Sequence, residues 1–413
     1  MVKLDVITET VVLLTAKETY YPSAQEILNF KYQGSSISHV NNSSIITTKE
    51  FVHLKIRRKP ASIRYIAQTL ESDIHIDAVV DEVKLSKVQV QTVMNNGYFI
   101  SKDNKFFCVP KNDSQLLKAA TSLKSLREKL TMLSKLRSMS KVTGAEQVLS
   151  EKEFGGNSFH LSVESQNIFK QELYAYQRDG VHWLLHCCIN NLGTILADDM
   201  GLGKTAQIIA LVSEAFLKNL IERVFIIVPN SLLENWKREF EFFCPSLKPY
   251  LHYGPLRTGL AEVLSPYKIV IMPYTTMTSD IEMLLDLDIS LLVFDEASLL
   301  KNPDSARSIA ASRINSDCSI AMTGTPVENS LLDLWSITNI IYPGYLGQRE
   351  SFCKQFIENN IQETLNKDLT GLDATISQIM IRRMKIDVLE DLPEKIDIHY
   401  PIIMPENEKR KYV

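Results

Sequence analysis

Residues Ile195–Thr205 read ILADDMGLGKT, a short apolar run followed by a glycine-containing turn and the start of a helical pattern. Short runs of β-branched and aliphatic residues bounded by turn signals are typical of strands that are buried on both faces. Helical patterns separate further runs of this kind downstream. The alternation predicts an α/β fold in this part of the chain, a parallel sheet with helices on both faces.

Strands and helices are predicted in alternation after the first apolar run. The predicted strands are Thr194–Ala197, Val224–Val228, Ile269–Met272, Leu291–Phe294 and Ser319–Met322. The predicted helices are Lys204–Leu217, Ser231–Phe243, Met277–Leu285 and Asp304–Ile314. Ligands of such sheets bind beyond the carboxyl ends of the strands. We therefore expect the functional residues at those ends.

The glycine-containing turn has the pattern of a phosphate-binding loop. Its glycines allow the backbone N–H groups to point inward at a phosphate chain, and the next helix presents its positive N-terminus. Lys204 would face the β and γ phosphates, and the Thr205 hydroxyl would bind Mg²⁺. Asp198 stands where the strict pattern has its first glycine. The expected nucleotide contacts are Asp199, Met200, Gly201, Leu202, Gly203, Lys204 and Thr205.

A second candidate site lies in SLLVFDEAS, residues Ser290–Ser298, where two acids follow a strongly apolar strand. A buried carboxylate is costly without a partner, so acids at a strand tip call for a cation. Asp295 is expected to hold Mg²⁺, and Glu296 to act as the base that orients the attacking water. Together with Lys204, these acids form the predicted catalytic set.

The N-terminal part of the chain has a different pattern. Residues 1–110 mix β-like runs (Val11–Thr15, Phe51–Ile56, Tyr98–Val109) with polar stretches and a helical pattern around Asp81–Asn95, which predicts a smaller α+β domain. Leucines at spacings of three and four predict one long basic amphipathic helix over residues 114–139. Its basic face is either a solvated surface or a contact for DNA or a partner protein. Gly144–Ser165 is predicted to be a polar linker.

The overall composition, 45% hydrophobic and 23% charged residues, is that of a globular protein. No apolar run approaches the roughly 18–20 residues of a membrane helix, and the start of the chain lacks the pattern of a signal peptide. The six cysteines show no CxxC pair and no zinc-like cluster. We expect no membrane association, no secretion, and a location in the cytoplasm with the nucleoid or in the nucleus.

With these residues identified, the chain resembles the first RecA-like lobe of a Swi/Snf-type ATPase of helicase superfamily two. The resemblance runs from about Leu173 to Tyr412 and is carried by several motifs in the family's order. They include LYAYQRDGVHWL, ADDMGLGKTAQIIAL, DEASLLKNPDS, AMTGTPVENSLLDLWSI and MIRRMKIDVLEDLPEK. In the first of these, the resemblance implies that Gln177 hydrogen-bonds the adenine edge, with Gly180 and Trp183 fitting the helix that follows.

The resemblance also implies contacts with the DNA backbone. VFIIVPNSLLENWKREFEFF and IVIMPYTTM are similar to the family's backbone-contacting motifs, and the Thr-Gly-Thr at Thr323–Thr325 couples the nucleotide state to DNA in related proteins. The three tryptophans of the chain are more typical of core positions than of base-stacking platforms. The implied DNA contacts are Asn230, Ser231, Thr275, Lys301, Asn302 and Thr325.

The function implied by the resemblance is ATP-driven translocation along double-stranded DNA, with Mg²⁺ and with contacts mainly to phosphates. A second RecA-like lobe is expected C-terminal to this chain, because in the family it supplies the arginine fingers; ATP turnover by this chain alone is therefore expected to be weak. A nucleotide-sensing DNA- or protein-binding scaffold and a strand-separating helicase are the alternatives. Residues 1–170 carry about +6 and the remainder about −10, so basic groups that meet DNA would be confined to a groove.

The implied domain order is an α+β N-terminal domain (1–110), a basic helix and linker (111–165), RecA-like lobe one (166–385) and the start of a connection to lobe two (386–413). Protein partners are expected to bind through the N-terminal region.

Two departures from the family pattern concern the site. Ser298 stands where relatives more often have histidine or glutamine, so its reach to Thr323–Thr325 is shorter. Tyr174 stands where relatives often have a basic residue.

Overall fold

The structure is a computed structural model of the 413-residue chain. It describes residues 2–7, 9–15, 18–37, 40, 45–57, 59–70, 73–150, 162, 165, 168–328, 330–357 and 369–388. The predicted connection to a second lobe therefore lies, from residue 389 onward, outside the described residues. Among the described residues, no helix combines the length and the apolar character needed to cross a membrane.

The N-terminal part of the chain forms small sheets flanked by helices. The strands are β1 (Val2–Ile7), β2 (Thr10–Leu14), β3 (Thr19–Tyr20), β4 (Ile45–Thr47), β5 (Lys55–Ile56), β6 (Arg64–Leu70), β7 (Asp73–Val80), β8 (Val83–Lys84), β9 (Tyr98–Ile100), β10 (Lys105–Cys108) and β11 (Val142–Thr143). The sheet orders are β3-β2-β1-β4, β5-β10-β9 and β11-β6-β7-β8. The helices are α1 (Ala24–Gln33), α2 (Lys49–Val52), α3 (Lys87–Asn96), α4 (Lys111–Thr121), α5 (Leu126–Ser138) and α6 (Ala145–Ser150).

Two predicted elements in this part are wrong. The single helix over residues 114–139 is divided into α4 and α5, because Ser125 and Glu128 form a reciprocal capping box that begins a new helix. The predicted strand Phe51–Ile56 begins as helix α2, whose first turn is capped by the Thr48 hydroxyl. Its last two residues do form a strand, β5.

The second part of the chain is built on one parallel sheet. Its strands are β12 (Thr194–Leu196), β13 (Val224–Val228), β14 (Tyr250–Leu251), β15 (Ile269–Pro273), β16 (Leu291–Phe294), β17 (Cys318–Met322) and β18 (Met380–Ile381). They form a seven-stranded sheet in the order β14-β15-β13-β16-β17-β12-β18, with every pairing parallel. The predicted parallel sheet is confirmed. Its central strands are buried throughout, as continuous apolar runs require.

Helices connect and cover these strands. They are α7 (Ala175–Ile189), α8 (Lys204–Leu217), α9 (Leu233–Phe243), α10 (Ala261–Leu264), α11 (Tyr274–Ser279), α12 (Ile281–Leu284), α13 (Ala306–Arg313), α14 (Leu331–Ile341), α15 (Arg349–Phe356), α16 (Thr370–Ser377) and α17 (Lys385–Val388). Short 3₁₀ turns span Asn230–Leu232 and Ala297–Leu300. The single helix predicted over Met277–Leu285 is wrong. The chain breaks at Asp280, whose carboxylate pairs with Arg257 (2.7 Å) and His252 (2.8 Å).

The two parts of the chain share apolar packing. Leu130 and Leu133 of α5 and Val148 and Leu149 of α6 belong to the same buried cluster as the parallel sheet. The predicted linker Gly144–Ser165 is therefore wrong over α6; residues 151–161 lie outside the described part of the chain. The predicted domain boundary at residue 165 stays a prediction. Side chains from before this residue pack in the same apolar core as the parallel sheet that follows it.

Candidate nucleotide-binding site

The predicted phosphate loop connects β12 to α8 at the carboxyl edge of the sheet. Gly201 and Gly203 have φ values of 86° and 72°, in the left-handed region that only glycine enters without strain. A side chain at Gly203 would also collide with the amide nitrogen of Gln177. Leu202, between the two glycines, is fully buried and anchors the loop to the core. The loop thus leads directly into α8, whose N-cap is Gly203.

Lys204, the first residue of α8, folds its side chain back over this loop. Its ammonium donates hydrogen bonds to the carbonyl oxygens of Asp198 (2.7 Å) and Asp199 (3.2 Å). Burial lowers the pKa of Lys204, while the nearby carboxylates of Asp198, Asp295 and Glu296 act in the opposite direction. Among the described residues, the acceptors of this ammonium are neutral carbonyl groups, which a phosphate oxygen can replace.

Gln177, the predicted adenine-reading residue, lies against the loop. Its amide nitrogen donates to the carbonyl oxygen of Leu202 (3.1 Å), and its amide oxygen accepts from the backbone of Tyr174 (3.0 Å). The Tyr176 hydroxyl donates to the same Leu202 carbonyl (3.2 Å). The ring of Tyr174 stacks on that of Tyr176, with a centroid distance of 5.9 Å. The adenine contact stays a prediction, but its residue is joined directly to the phosphate loop.

The register of three strands brings the acidic pair to the same edge as the loop. Leu196, at the end of β12, pairs with Met322 of β17, and Phe294, at the end of β16, pairs with Ala321 on the other side of that strand. The loop after β12 and the acids after β16 therefore flank the end of β17 at one level. The sheet topology thus brings the two sequence motifs together.

Asp295 is held in a buried position. One carboxylate oxygen accepts from the indole N–H of Trp236 (2.7 Å) and the other from the backbone N–H of Glu296 (2.8 Å). Burial raises the pKa of Asp295, and these two hydrogen bonds act against it. Within the described part of the chain, both hydrogen-bond donors to this carboxylate are uncharged. This is the electrostatic situation that a divalent cation relieves.

These residues fit a magnesium ion. Mg²⁺ in nucleotide sites takes oxygen ligands, typically one or two from the protein and the remainder from phosphates and water. Thr205 offers a hydroxyl oxygen at the start of α8, and Asp295 offers its buried carboxylate. Among the described residues, no cluster of three or more His, Cys, Asp and Glu side chains forms a metal site. The remaining ligands would come from the phosphates of a bound nucleotide and from water.

Glu296 has an unusual backbone conformation. Its φ of 49° and ψ of 52° place it in the left-handed region, which costs a residue with a side chain roughly 1 kcal/mol or more. The Ser298 hydroxyl donates to its carboxylate (2.5 Å). The serine that departs from the family pattern therefore holds the predicted base, and the hydrogen bonds described for its hydroxyl go to Glu296.

A buried ion pair beside the loop was not identified from the sequence. Arg383, which follows β18, donates through Nε to Asp198 (2.9 Å). Its Nη2 nitrogen donates to Gln207 (2.7 Å) and also pairs with Asp198. Its guanidinium also lies over the ring of Tyr176 (5.3 Å). The sequence does contain one indication of this ion pair, because Asp198 is a carboxylate at the end of a buried strand and such a carboxylate requires a cation.

The predicted DNA-contacting residues lie in segments that follow strand ends on this same edge. Five of them are exposed: Asn230, Ser231, Thr275, Asn302 and Thr325. Lys301 differs, since it is 9% exposed and its ammonium pairs with Glu328 (2.6 Å) and donates to the Thr325 hydroxyl (3.4 Å). In this structure Lys301 thus joins the acidic motif to the Thr-Gly-Thr segment, and its charge is already paired.

A glycine-containing loop and a strand-end acidic pair, on one edge of a parallel sheet, define a RecA-like nucleotide-binding lobe. The profile of the SNF2-related domain matches residues 176–413, more than half of the chain. The chain belongs to this family.

Relatives and solved structures agree with this assignment. The chain is 35% identical over 291 residues to an uncharacterized ATP-dependent helicase of Mycoplasma genitalium, covering 70% of this chain and 27% of that protein. It is 33% identical to the TATA-binding protein-associated factor MOT1 of Saccharomyces cerevisiae, covering 59% and 14%. The SWI2/SNF2 ATPase core domain of Sulfolobus solfataricus superposes with a TM-score of 0.51 at 34% identity, covering 58% and 49%. The chain thus spans about a quarter or less of the two curated relatives.

Proposed function

We propose that this chain is the ATP-binding lobe of a DNA-dependent ATPase that moves along double-stranded DNA. The observation that carries the proposal is the strand register at the carboxyl edge of the sheet. Leu196 and Phe294 pair with adjacent residues of β17, so the loop carrying Lys204 and the acids Asp295 and Glu296 flank one strand end. A nucleoside triphosphate with a divalent cation requires this combination of donors and carboxylates.

Each residue of the site has a chemical role in this proposal. The N–H groups of the loop and the N-terminus of α8 bind phosphate oxygens, and Lys204 balances their charge. Thr205 and Asp295 would hold a magnesium ion, which when bound neutralises charge on the phosphates. Glu296 orients a water molecule toward the terminal phosphate and accepts its proton. Its carboxylate is held for this role by Ser298 (2.5 Å).

The proposed DNA contacts are made by exposed polar residues at the same edge. Asn230, Ser231, Thr275 and Thr325 carry no charge and suit hydrogen bonds to phosphate oxygens. Such contacts do not read base sequence, so binding is expected to be independent of sequence. The names of the relatives, an ATP-dependent helicase among them, support the proposal.

A second RecA-like lobe is part of the proposed machine. Charge that develops on the transferred phosphoryl group is met in such enzymes by an arginine from outside the first lobe, which is worth about 10³–10⁵-fold in rate. Arg383, an arginine close to the phosphate loop, is paired with Asp198. We therefore expect residues 1–413 to bind ATP but to hydrolyse it slowly, with turnover and its stimulation by DNA depending on the second lobe.

The proposal is tested by Lys204→Ala, with Lys218→Ala as the matched control. Lys218 lies at the C-terminal end of α8 and pairs with Glu214. Lys218→Ala therefore removes the same charge from the same helix, far from the loop. We expect residues 1–413 to bind a fluorescent ATP analogue in the presence of Mg²⁺. Lys204→Ala should weaken this binding by at least about tenfold, and Lys218→Ala should leave it unchanged. Equal binding by both variants contradicts the proposed site.

A further inference from the structure

Two aromatic side chains from separate motifs converge on Asp295. The indole N–H of Trp236 donates to its carboxylate (2.7 Å), and the Tyr274 hydroxyl donates to its backbone carbonyl oxygen (2.8 Å). Both rings are buried, with exposures of 1% and 3%. Neither interaction belongs to the phosphate loop or to the acidic motif itself.

Each aromatic residue lies close to a proposed DNA contact. Tyr274 begins α11 and is followed directly by the exposed Thr275. Trp236 lies in the first turns of α9, which follows the 3₁₀ turn that contains the exposed Ser231. In each case a short, hydrogen-bonded backbone segment connects the exposed residue to the buried ring. A displacement of either helix start therefore moves a hydrogen-bond donor of Asp295.

The two donors fix Asp295 in different ways. The indole N–H and the N–H of Glu296 bind opposite oxygens of the carboxylate, which sets its rotation and the direction of the lone pairs that remain. The Tyr274 hydroxyl holds the backbone at the point where β16 ends. Partners of this kind orient metal ligands, and their loss typically lowers metal affinity by about 10–100-fold.

We propose that Trp236 and Tyr274 are positioning residues that orient Asp295 for the magnesium ion and link this site to DNA contacts at Ser231 and Thr275. The inference rests on the proposed function and specifies how its two sites communicate. Because coupling between two binding sites is reciprocal, DNA bound at the helix starts strengthens binding of magnesium with ATP, and magnesium with ATP strengthens DNA binding.

The test is a Mg²⁺ titration of ATP-analogue binding by residues 1–413, with and without duplex DNA. In Trp236→Phe we expect the Mg²⁺ concentration at half-maximal binding to rise about tenfold or more. In the unaltered chain duplex DNA should lower this concentration. In Trp236→Phe and in Tyr274→Phe we expect that effect of DNA to be reduced or lost.

The chain offers a matched control for each variant. The indole of Trp335 is also buried and donates to the Gly347 carbonyl (3.1 Å), and the buried Tyr345 hydroxyl donates to the Thr375 carbonyl (2.8 Å). Trp335→Phe and Tyr345→Phe therefore make the same two side-chain changes at buried positions whose described hydrogen bonds go to Gly347 and Thr375 and not to Asp295. Both controls should keep the Mg²⁺ requirement and the DNA effect of the unaltered chain.

The possible outcomes separate this inference from the proposed function. If the unaltered chain fails to bind the ATP analogue, the proposed function is overturned and the inference with it. If it binds but Trp236→Phe and Tyr274→Phe match their controls, the inference alone is overturned. A raised Mg²⁺ requirement without any DNA effect supports orientation of Asp295 and overturns the coupling. Tyr274→Phe deletes a single oxygen atom, so it keeps the test decisive if Trp236→Phe does not fold.

Discussion

Ser298 and Glu296 show how a local departure from a family pattern acts on the chemistry. Glu296 is held in the left-handed backbone region, so its side chain leaves the strand end in a direction that an ordinary strand would not allow. The hydroxyl of Ser298 then fixes the carboxylate (2.5 Å). In place of the longer reach to Thr323–Thr325 that a histidine or glutamine would have, Ser298 provides a support for the neighbouring base.

We expect Ser298→Ala to lower ATP turnover with little effect on ATP affinity. A hydrogen bond to a charged group contributes about 1.5–3 kcal/mol, so loss of this orientation should reduce the rate by about tenfold or more. Single-turnover hydrolysis with excess protein measures this even when turnover is slow. Ser298→Thr keeps the hydroxyl and should retain most of the rate. A rate for Ser298→Ala equal to that of Ser298→Thr would rule out this role.

At the residue scale, the sequence predicts the groups whose motifs are local and misses those paired over long distances. Lys204 and the two acids were predicted because each lies at a strand end within a short pattern. The pairing of Lys301 with Glu328 could not be predicted, since it depends on how the chain returns after β17. Lys301 is buried because the chain after β17 returns to cover it.

At the scale of elements, Arg383 connects parts of the lobe that are distant in sequence. It reaches Asp198 after β12, Gln207 on α8 and the backbone of Tyr176 on α7, while its own segment follows β18. Gly180 on α7 makes room for this side chain, because a Cβ there would collide with Gln207 and Arg383. Hydrogen bonds of Arg383 thus connect the phosphate loop to the segment that follows β18.

Breaking this buried pair should destabilise the lobe. Arg383→Ala leaves the carboxylate of Asp198, which is fully buried, without its cation, and such changes cost about 3–5 kcal/mol. Urea denaturation should detect the loss, and Arg382→Ala is the control because that neighbouring arginine is exposed. Replacing both partners, with Asp198→Leu and Arg383→Met, should recover much of the stability. Equal stability of Arg383→Ala and Arg382→Ala would contradict the importance of the pair.

The sequence predicted elements well where burial alone decides them. β13, β16 and α8 begin and end at the predicted residues, because continuous apolar runs and a glycine-to-helix transition leave little choice. The misses occur where a cap or a distant partner decides. The capping box at Ser125 divides a continuous leucine pattern into two helices, and the contacts of Asp280 with Arg257 and His252 accompany the break between α11 and α12.

At the scale of the whole molecule, α5 docks the N-terminal part onto the amino edge of the parallel sheet. Arg127 donates to the carbonyl oxygen of Asn191, just before β12 (2.8 Å), and lies over the ring of Tyr342 (5.0 Å). Ser134 donates to the carbonyl oxygen of Tyr345 (2.5 Å). The nucleotide loop follows β12 at the opposite edge, so these contacts of α5 lie away from the proposed ATP site.

The same helix contributes to two apolar cores. Leu130 and Leu133 pack with the core of the parallel sheet, whereas Met132 and Leu136 pack with the core of the N-terminal sheets. Unfolding of either part therefore removes packing from the other. We expect residues 1–413 to unfold in one calorimetric transition, and magnesium with ATP at about 100 times its dissociation constant to stabilise that whole transition by about 2.7 kcal/mol.

Leu133→Asp should uncouple the two parts. It places a charge at a fully buried position, which is far more costly than removing methyl groups. We expect two calorimetric transitions in this variant, of which magnesium with ATP shifts only the one that belongs to the parallel sheet. Lys135→Asp places an aspartate two positions further on α5, at an exposed site, and should keep a single transition although it changes the net charge by more. Two transitions in the unaltered chain would show that the shared helix does not make the N-terminal part and the nucleotide lobe one cooperative unit.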